Sequence, residues 1–151
     1  MKSLLSVILL FYGLGAFTFA ASGEQKIKNK QLPPTLQKSF SEKFLNAKKT
    51  KWYKYEEGFR AAFFSDGILL HAFYNGNAQW QKTHLYISQL PLDIIKNHFN
   101  SFYADWVVRK KMKVETPSAV YYLLEVHYNE MIRELLYDVS GGLLKENIIQ
   151  Q

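Results

Sequence analysis

Residues 59–80, FRAAFFSDGILLHAFYNGNAQW, decide the fold. Phe59 to Ser65 and Ile68 to Tyr74 are apolar, aromatic runs of strand length, and Ala78 to Tyr86 continues in the same style. Asp66-Gly67 and Asn75-Gly76-Asn77 separate them, and glycine there admits the positive φ of a tight hairpin. Strands joined by such short turns run antiparallel. With Trp52 to Glu57 ahead of them, they predict a four-stranded antiparallel sheet.

Upstream of this stretch, Pro33-Pro34 suits a first helical turn, where the missing N–H is not needed. Leu36, Phe40 and Phe44 then recur every fourth residue as one apolar stripe. Downstream the order returns. Leu90-Pro91 opens a second helix with Asp93 in its first turn, favourable to the helix dipole, and Ile94, Ile95, Phe99, Phe102 and Tyr103 form a broader stripe. His98 takes the place of an apolar residue at the edge of that stripe. Strand-like runs follow at Trp106 to Glu115, Val120 to Tyr128, Met131 to Val139 and Leu143 to Ile148, with turns at Thr116-Pro117-Ser118, Asn129-Glu130 and Gly141-Gly142. The chain therefore predicts an α+β fold of two tandem helix-plus-four-stranded antiparallel repeats, residues 32–88 and 89–149, with helices on one face of the sheet.

Strict alternation assigns faces. In 106–115 it places Trp106, Val108, Met112 and Val114 on a buried side, and Arg109, Lys111 and Lys113 on a solvated one. In 78–86 it places Trp80, Lys82 and His84 together. One helix per four strands covers one sheet face only, so the other is open to solvent or to a partner. Aromatic anchors beside basic side chains suit a protein partner or an anionic ligand. The candidate binding residues are Trp52, His71, Trp80, Lys82, His84, Arg109, Lys111 and Lys113.

The first twenty residues read as a signal peptide: Lys2, an apolar stretch from Leu4 to Phe19, and small Thr18 and Ala20 before the cleavage point. Residues 21–31 read as a polar, lysine-rich leader. Export to the periplasm or beyond follows, with no transmembrane anchor after cleavage. The absence of cysteine excludes a disulfide, a thiolate nucleophile and a lipidated cysteine. A formal net charge of +6 fits solubility, an acidic partner or an anionic polymer. No nucleic-acid motif accompanies it.

Catalytic patterns are missing. There is no Gly-x-Ser-x-Gly elbow, no His-Glu-x-x-His helix and no phosphate loop, since Gly141-Gly142 lacks the spaced glycines and the following Lys-Ser/Thr. His71, His84, His98 and His127 are too dispersed to make a metal site except through folding. The expectation is a non-enzyme with no cofactor and no metal.

Leu-Pro before a helix, Ala47 to Trp52 as AKKTKW, Asp66-Gly67, the Asn-Gly turn before Trp80 and the closing Tyr137-Asp138-Val139-Ser140-Gly141-Gly142-Leu143-Leu144-Lys145-Glu146 carry a resemblance. Over residues 32–148 the chain resembles the exported PepSY-like, or β-lactamase-inhibitor-like, family. That resemblance implies a curved sheet of tandem repeats, export, and a non-catalytic role in protein binding or inhibition. The chain departs from the pattern at Lys110, at Asn129-Glu130 and in lacking cysteines. A binding module for an envelope or secreted protein is the leading expectation. A small-ligand carrier or an anionic-polymer-binding envelope protein is the alternative.

Overall fold

The computed structural model describes residues 23–90 and 92–150. The expected signal peptide and Pro91 lie outside the described residues, as does the side chain of Ile94. The elements are β1 (Gln25–Ile27), a 3-10 turn (Asn29–Gln31), α1 (Pro34–Lys43), β2 (Lys48–Tyr55), β3 (Gly58–Ser65), β4 (Ile68–Asn75), β5 (Trp80–Tyr86), α2 (Asp93–Phe102), β6 (Val107–Glu115), β7 (Val120–Tyr128), β8 (Met131–Asp138) and β9 (Leu143–Gln150).

All nine strands form one sheet in sequence order, each antiparallel to its neighbours. This corrects the expectation of two tandem helix-plus-four-stranded repeats. β5 and β6 are hydrogen-bonded through Thr83↔Glu115 to Tyr86↔Met112, so the sheet passes across the expected boundary without a break. Two ten-residue helices are all the α-helix among the described residues. The ninth strand, β1, lies within the segment read as leader; three residues of edge strand leave no periodicity to read.

Directly paired residues on neighbouring strands share a face. One row runs Phe63↔Leu70↔Leu85↔Lys113↔Tyr122↔Tyr137↔Leu143, and both helices lie on its side. From α1, Leu36 is fully buried, and Phe40 meets Trp52 and Phe63 edge-on with ring centroids 5.0 Å apart in each case. From α2, Ile95, Phe99 and Tyr103, just past its last turn, pack on Leu124, Val126, Leu135 and Tyr137. His98 lies at the edge of that contact, its Nδ1 2.9 Å from the Tyr137 hydroxyl. Stripe and sheet face match as the helical period requires.

The opposite row, Ala62↔His71↔His84↔Val114↔Tyr121↔Asp138, meets no helix. Met112, Val114, Leu123 and Leu136 are nevertheless buried there as a separate cluster. Side chains on this face cover one another, which requires the sheet to bend around them. His84, Glu125 and Glu134 are buried on the same side, again with no helix over them. The helix-free face is concave.

Two bulges reassign the faces. Phe73 pairs with Lys82 but Tyr74 pairs with Trp80, leaving Gln81 as an extra residue in β5. Val108 pairs with Val126 but Lys110 pairs with Glu125, leaving Arg109 extra in β6. Beyond a bulge every side chain changes sides.

Candidate functional site

The bulges decide which of the sequence-selected residues meet. His71 and His84 are direct cross-strand partners on the concave face, and Lys82 joins them opposite Phe73. Trp80 lies on the other side, where its Nε1 donates to Thr83 Oγ1 at 2.9 Å and Lys43 Nζ sits 3.5 Å above its ring. Lys111 and Lys113 pair with Leu124 and Tyr122, and so share the helix-bearing face. Lys113 Nζ donates to Glu115 Oε1 at 2.7 Å. Arg109 is exposed within its bulge. Trp52 is buried in the core under α1, only 3% exposed. The alternation expected for 78–86 and for 106–115 is thus corrected: Met112 and Val114 lie on the concave side while Val108 packs towards α2.

The concave face also contains residues that periodicity missed. Over β2 to β5 these are Tyr53, Arg60, Phe73 and Tyr86. The Arg60 guanidinium lies 4.3 Å from the Tyr53 ring, and its Nη1 is 3.4 Å from His71 Nδ1. Tyr86 meets the His71 ring at 5.3 Å, and Phe73 meets the His84 ring at 4.7 Å. Over β6 to β8 the face carries a polar cluster beside the apolar one of Met112, Val114, Leu123 and Leu136. Glu125 and Glu134 are directly paired and both buried. Lys110 Nζ donates to Glu125 Oε2 at 2.5 Å, and His127 Nε2 lies 2.8 Å from Glu125 Oε1. These pairings were legible in principle. Two-residue turns at Asp66-Gly67 and Asn129-Glu130 fix the register, which sets Ala62 against His71 and Glu125 against Glu134.

The electrostatics follow from the curvature. Desolvation, reinforced by the Arg60 charge and partly opposed by Glu24, pushes His71 down to about 4. Deeper desolvation, with Lys82, His71 and Arg60 nearby, pushes His84 down to about 3. Both imidazoles are neutral at pH 7. Burial lowers the Lys82 pKa against the pull of Glu134 and Glu57. Burial works to raise that of Glu125, but hydrogen bonds from Lys110 and His127 outweigh it and hold the carboxyl below its usual range. His84 Nε2 is buried without a hydrogen-bond partner. Among the described residues no group of three His, Cys, Asp or Glu side chains could hold a metal ion, and no helix is long and apolar enough to cross a membrane.

No family model and no curated protein matches the sequence. Solved structures do share the fold. A DUF2874 family protein from Bacteroides uniformis superposes with a TM-score of 0.72 at 18% identity, covering 78% of this chain and 90% of that one. A BLIP-like protein from Bacteroides fragilis gives 0.71 at 24% identity, covering 80% and 89%. A protein from Bacteroides eggerthii, described as a predicted periplasmic protein, gives 0.70 at 19% identity, covering 78% and 88%. The chain has the fold of these proteins, that of the BLIP-like one included.

Proposed function

We propose that this chain is an exported, non-catalytic binding module of inhibitor-like type that engages a protein partner through the concave, helix-free face of its sheet. The observation that carries this reading is the composition of that face. Tyr53, Arg60, His71, Phe73, Lys82, His84 and Tyr86 lie together over β2 to β5, and among the described residues no helix packs across them. Aromatic and arginine side chains on a rigid concave support are what protein interfaces concentrate as anchors. The buried floor of Met112, Val114, Leu123 and Leu136 supplies the rigidity. The likeness to a BLIP-like protein supports the same reading, and the PepSY-like resemblance of the sequence is compatible with it. A carrier with a cavity between helix and sheet has less support, because Leu36 and Ile95 are fully buried in that contact.

Photo-cross-linking tests this reading in the exported chain. Benzoylphenylalanine in place of Tyr86 should give a discrete protein adduct, while the same group in place of Lys96, exposed on α2, should not. Equal adducts from both positions, or none from Tyr86, would remove the reading.

A second reading rests on a different observation. Lys26, Lys28, Lys30, Lys48, Lys49, Lys51 and Lys54 are all exposed near the β1–β2 edge of the sheet. Lysines on an edge strand also deter edge-to-edge aggregation. Binding of an anionic polymer there would fall steeply as salt rises from 50 to 300 mM, roughly as the Debye length shortens.

A further inference from the structure

The concave face already holds one carboxylate, and it comes from the chain itself. Glu24 precedes β1, and the Arg60 guanidinium donates to both its oxygens, Nε to Oε1 at 2.6 Å and Nη2 to Oε2 at 2.5 Å. Both side chains are largely enclosed, 14% and 16% exposed. Three groups hold Arg60 in place for this bidentate grip: the Tyr53 ring beneath it, His71 beside it, and Phe73 as its cross-strand partner. Because a guanidinium only donates, His71 Nδ1 accepts from Nη1, which fixes the imidazole proton on Nε2. The arrangement is a planar two-point receptor for a carboxylate. Its present occupant comes from the edge of the sheet. β1 is a three-residue edge strand paired only with β2, the kind of element that opens locally well before the sheet unfolds.

We infer that Arg60, Tyr53 and His71 form a carboxylate-binding site for an Asp or Glu side chain of an incoming polypeptide, and that Glu24 on the N-terminal strap occupies it when no partner is bound. This rests on the reading of the concave face as the binding surface. It adds the chemistry of one contact and a competitor for it within the chain. A partner carboxylate displaces Glu24, β1 peels from β2, and Arg60 changes ligand without losing its charge pairing. The strap thereby lowers affinity for weak carboxylates and leaves the site open to a partner that brings further contacts.

The test uses the full chain and a neutral-ended peptide, acetyl-Gly-Glu-Gln-amide, followed by the backbone amide signals of Tyr53 and His71 in NMR. Glu24→Gln should bind the peptide at least tenfold more tightly than the unaltered chain, and adding Arg60→Gln should abolish that binding. In the same variant the backbone amides of β1 should exchange at least tenfold faster, with β3 and β4 unchanged. Glu24→Asp, too short to keep both contacts, should fall between, and it covers the case in which Glu24→Gln perturbs folding. Equal peptide binding with and without Glu24, no binding to any variant, or unchanged exchange in β1 would overturn the proposal. Should it fail while Tyr86→Ala still weakens a cross-linked partner, the strap falls and the concave-face reading stands; if Tyr86→Ala is also silent, both fall.

Discussion

At the scale of single residues, burial separates side chains that the sequence presents as equals. Trp52 and Trp80 both read as aromatic anchors, yet Trp52 is enclosed by Phe40 and Tyr74 in the core. Trp52→Ala should therefore destabilise the chain by about 3–5 kcal/mol, a core-cavity effect visible as a lower urea midpoint. His84 carries a second consequence. Its folded pKa, pushed down by burial to about 3, lies well below the ordinary 6.5 of the unfolded chain. Below pH 6.5 the unfolded state takes up a proton that the folded state refuses, so stability falls as pH falls through that range. By pH 5 the loss from His84 alone reaches about 2 kcal/mol, and it continues to grow until the folded group titrates. Replacing His84 with Gln should remove about half of the histidine-linked fall in stability between pH 7 and 5 in denaturant titrations, His71 supplying the rest. An unchanged slope would contradict its burial.

Elements were legible where a period or a turn marks them. α1 and α2 follow from the Leu36-Phe40-Phe44 and Ile95-Phe99-Tyr103 spacings, and the hairpins follow from Asp66-Gly67 and Asn75-Gly76. β1 and the bulges were not legible, for a shared physical reason. A single extra residue such as Gln81 or Arg109 has no periodicity, yet it inverts every face assignment beyond it. That is why Lys111 and Lys113 were grouped with a solvated binding face and lie instead beside Leu124 and Tyr122. Close backbone approach is equally silent in sequence. A Cβ on Gly58 would lie 2.0 Å from the carbonyl oxygen of Tyr74 on the neighbouring strand. Gly58→Ala should force β3 and β4 apart, destabilising the chain by about 3 kcal/mol or more. Thermal unfolding would show it as a large drop in Tm, and a shift within 2 °C would contradict the close packing of that hairpin.

For the whole molecule, one continuous sheet matters more than the likeness between its halves. Pairing of β5 with β6 makes a single concave surface whose two parts differ. β2 to β5 offer aromatic and cationic groups, whereas β6 to β8 place the buried carboxylates of Glu125 and Glu134, the former held by Lys110 and His127. In the proposed function, helices occupy one side of the sheet and the concave side is the face that takes the partner. The most direct check of that claim compares two alanine variants, once the partner cross-linked from the Tyr86 position is purified. Tyr86→Ala lies on the concave face and Lys111→Ala on the helix-bearing one. With both variants folded to the same Tm, Tyr86→Ala should weaken affinity about tenfold, the effect of losing an aromatic anchor, and Lys111→Ala should change it less than twofold. Affinity that falls with Lys111→Ala and holds with Tyr86→Ala would place the interface on the other face and contradict the account.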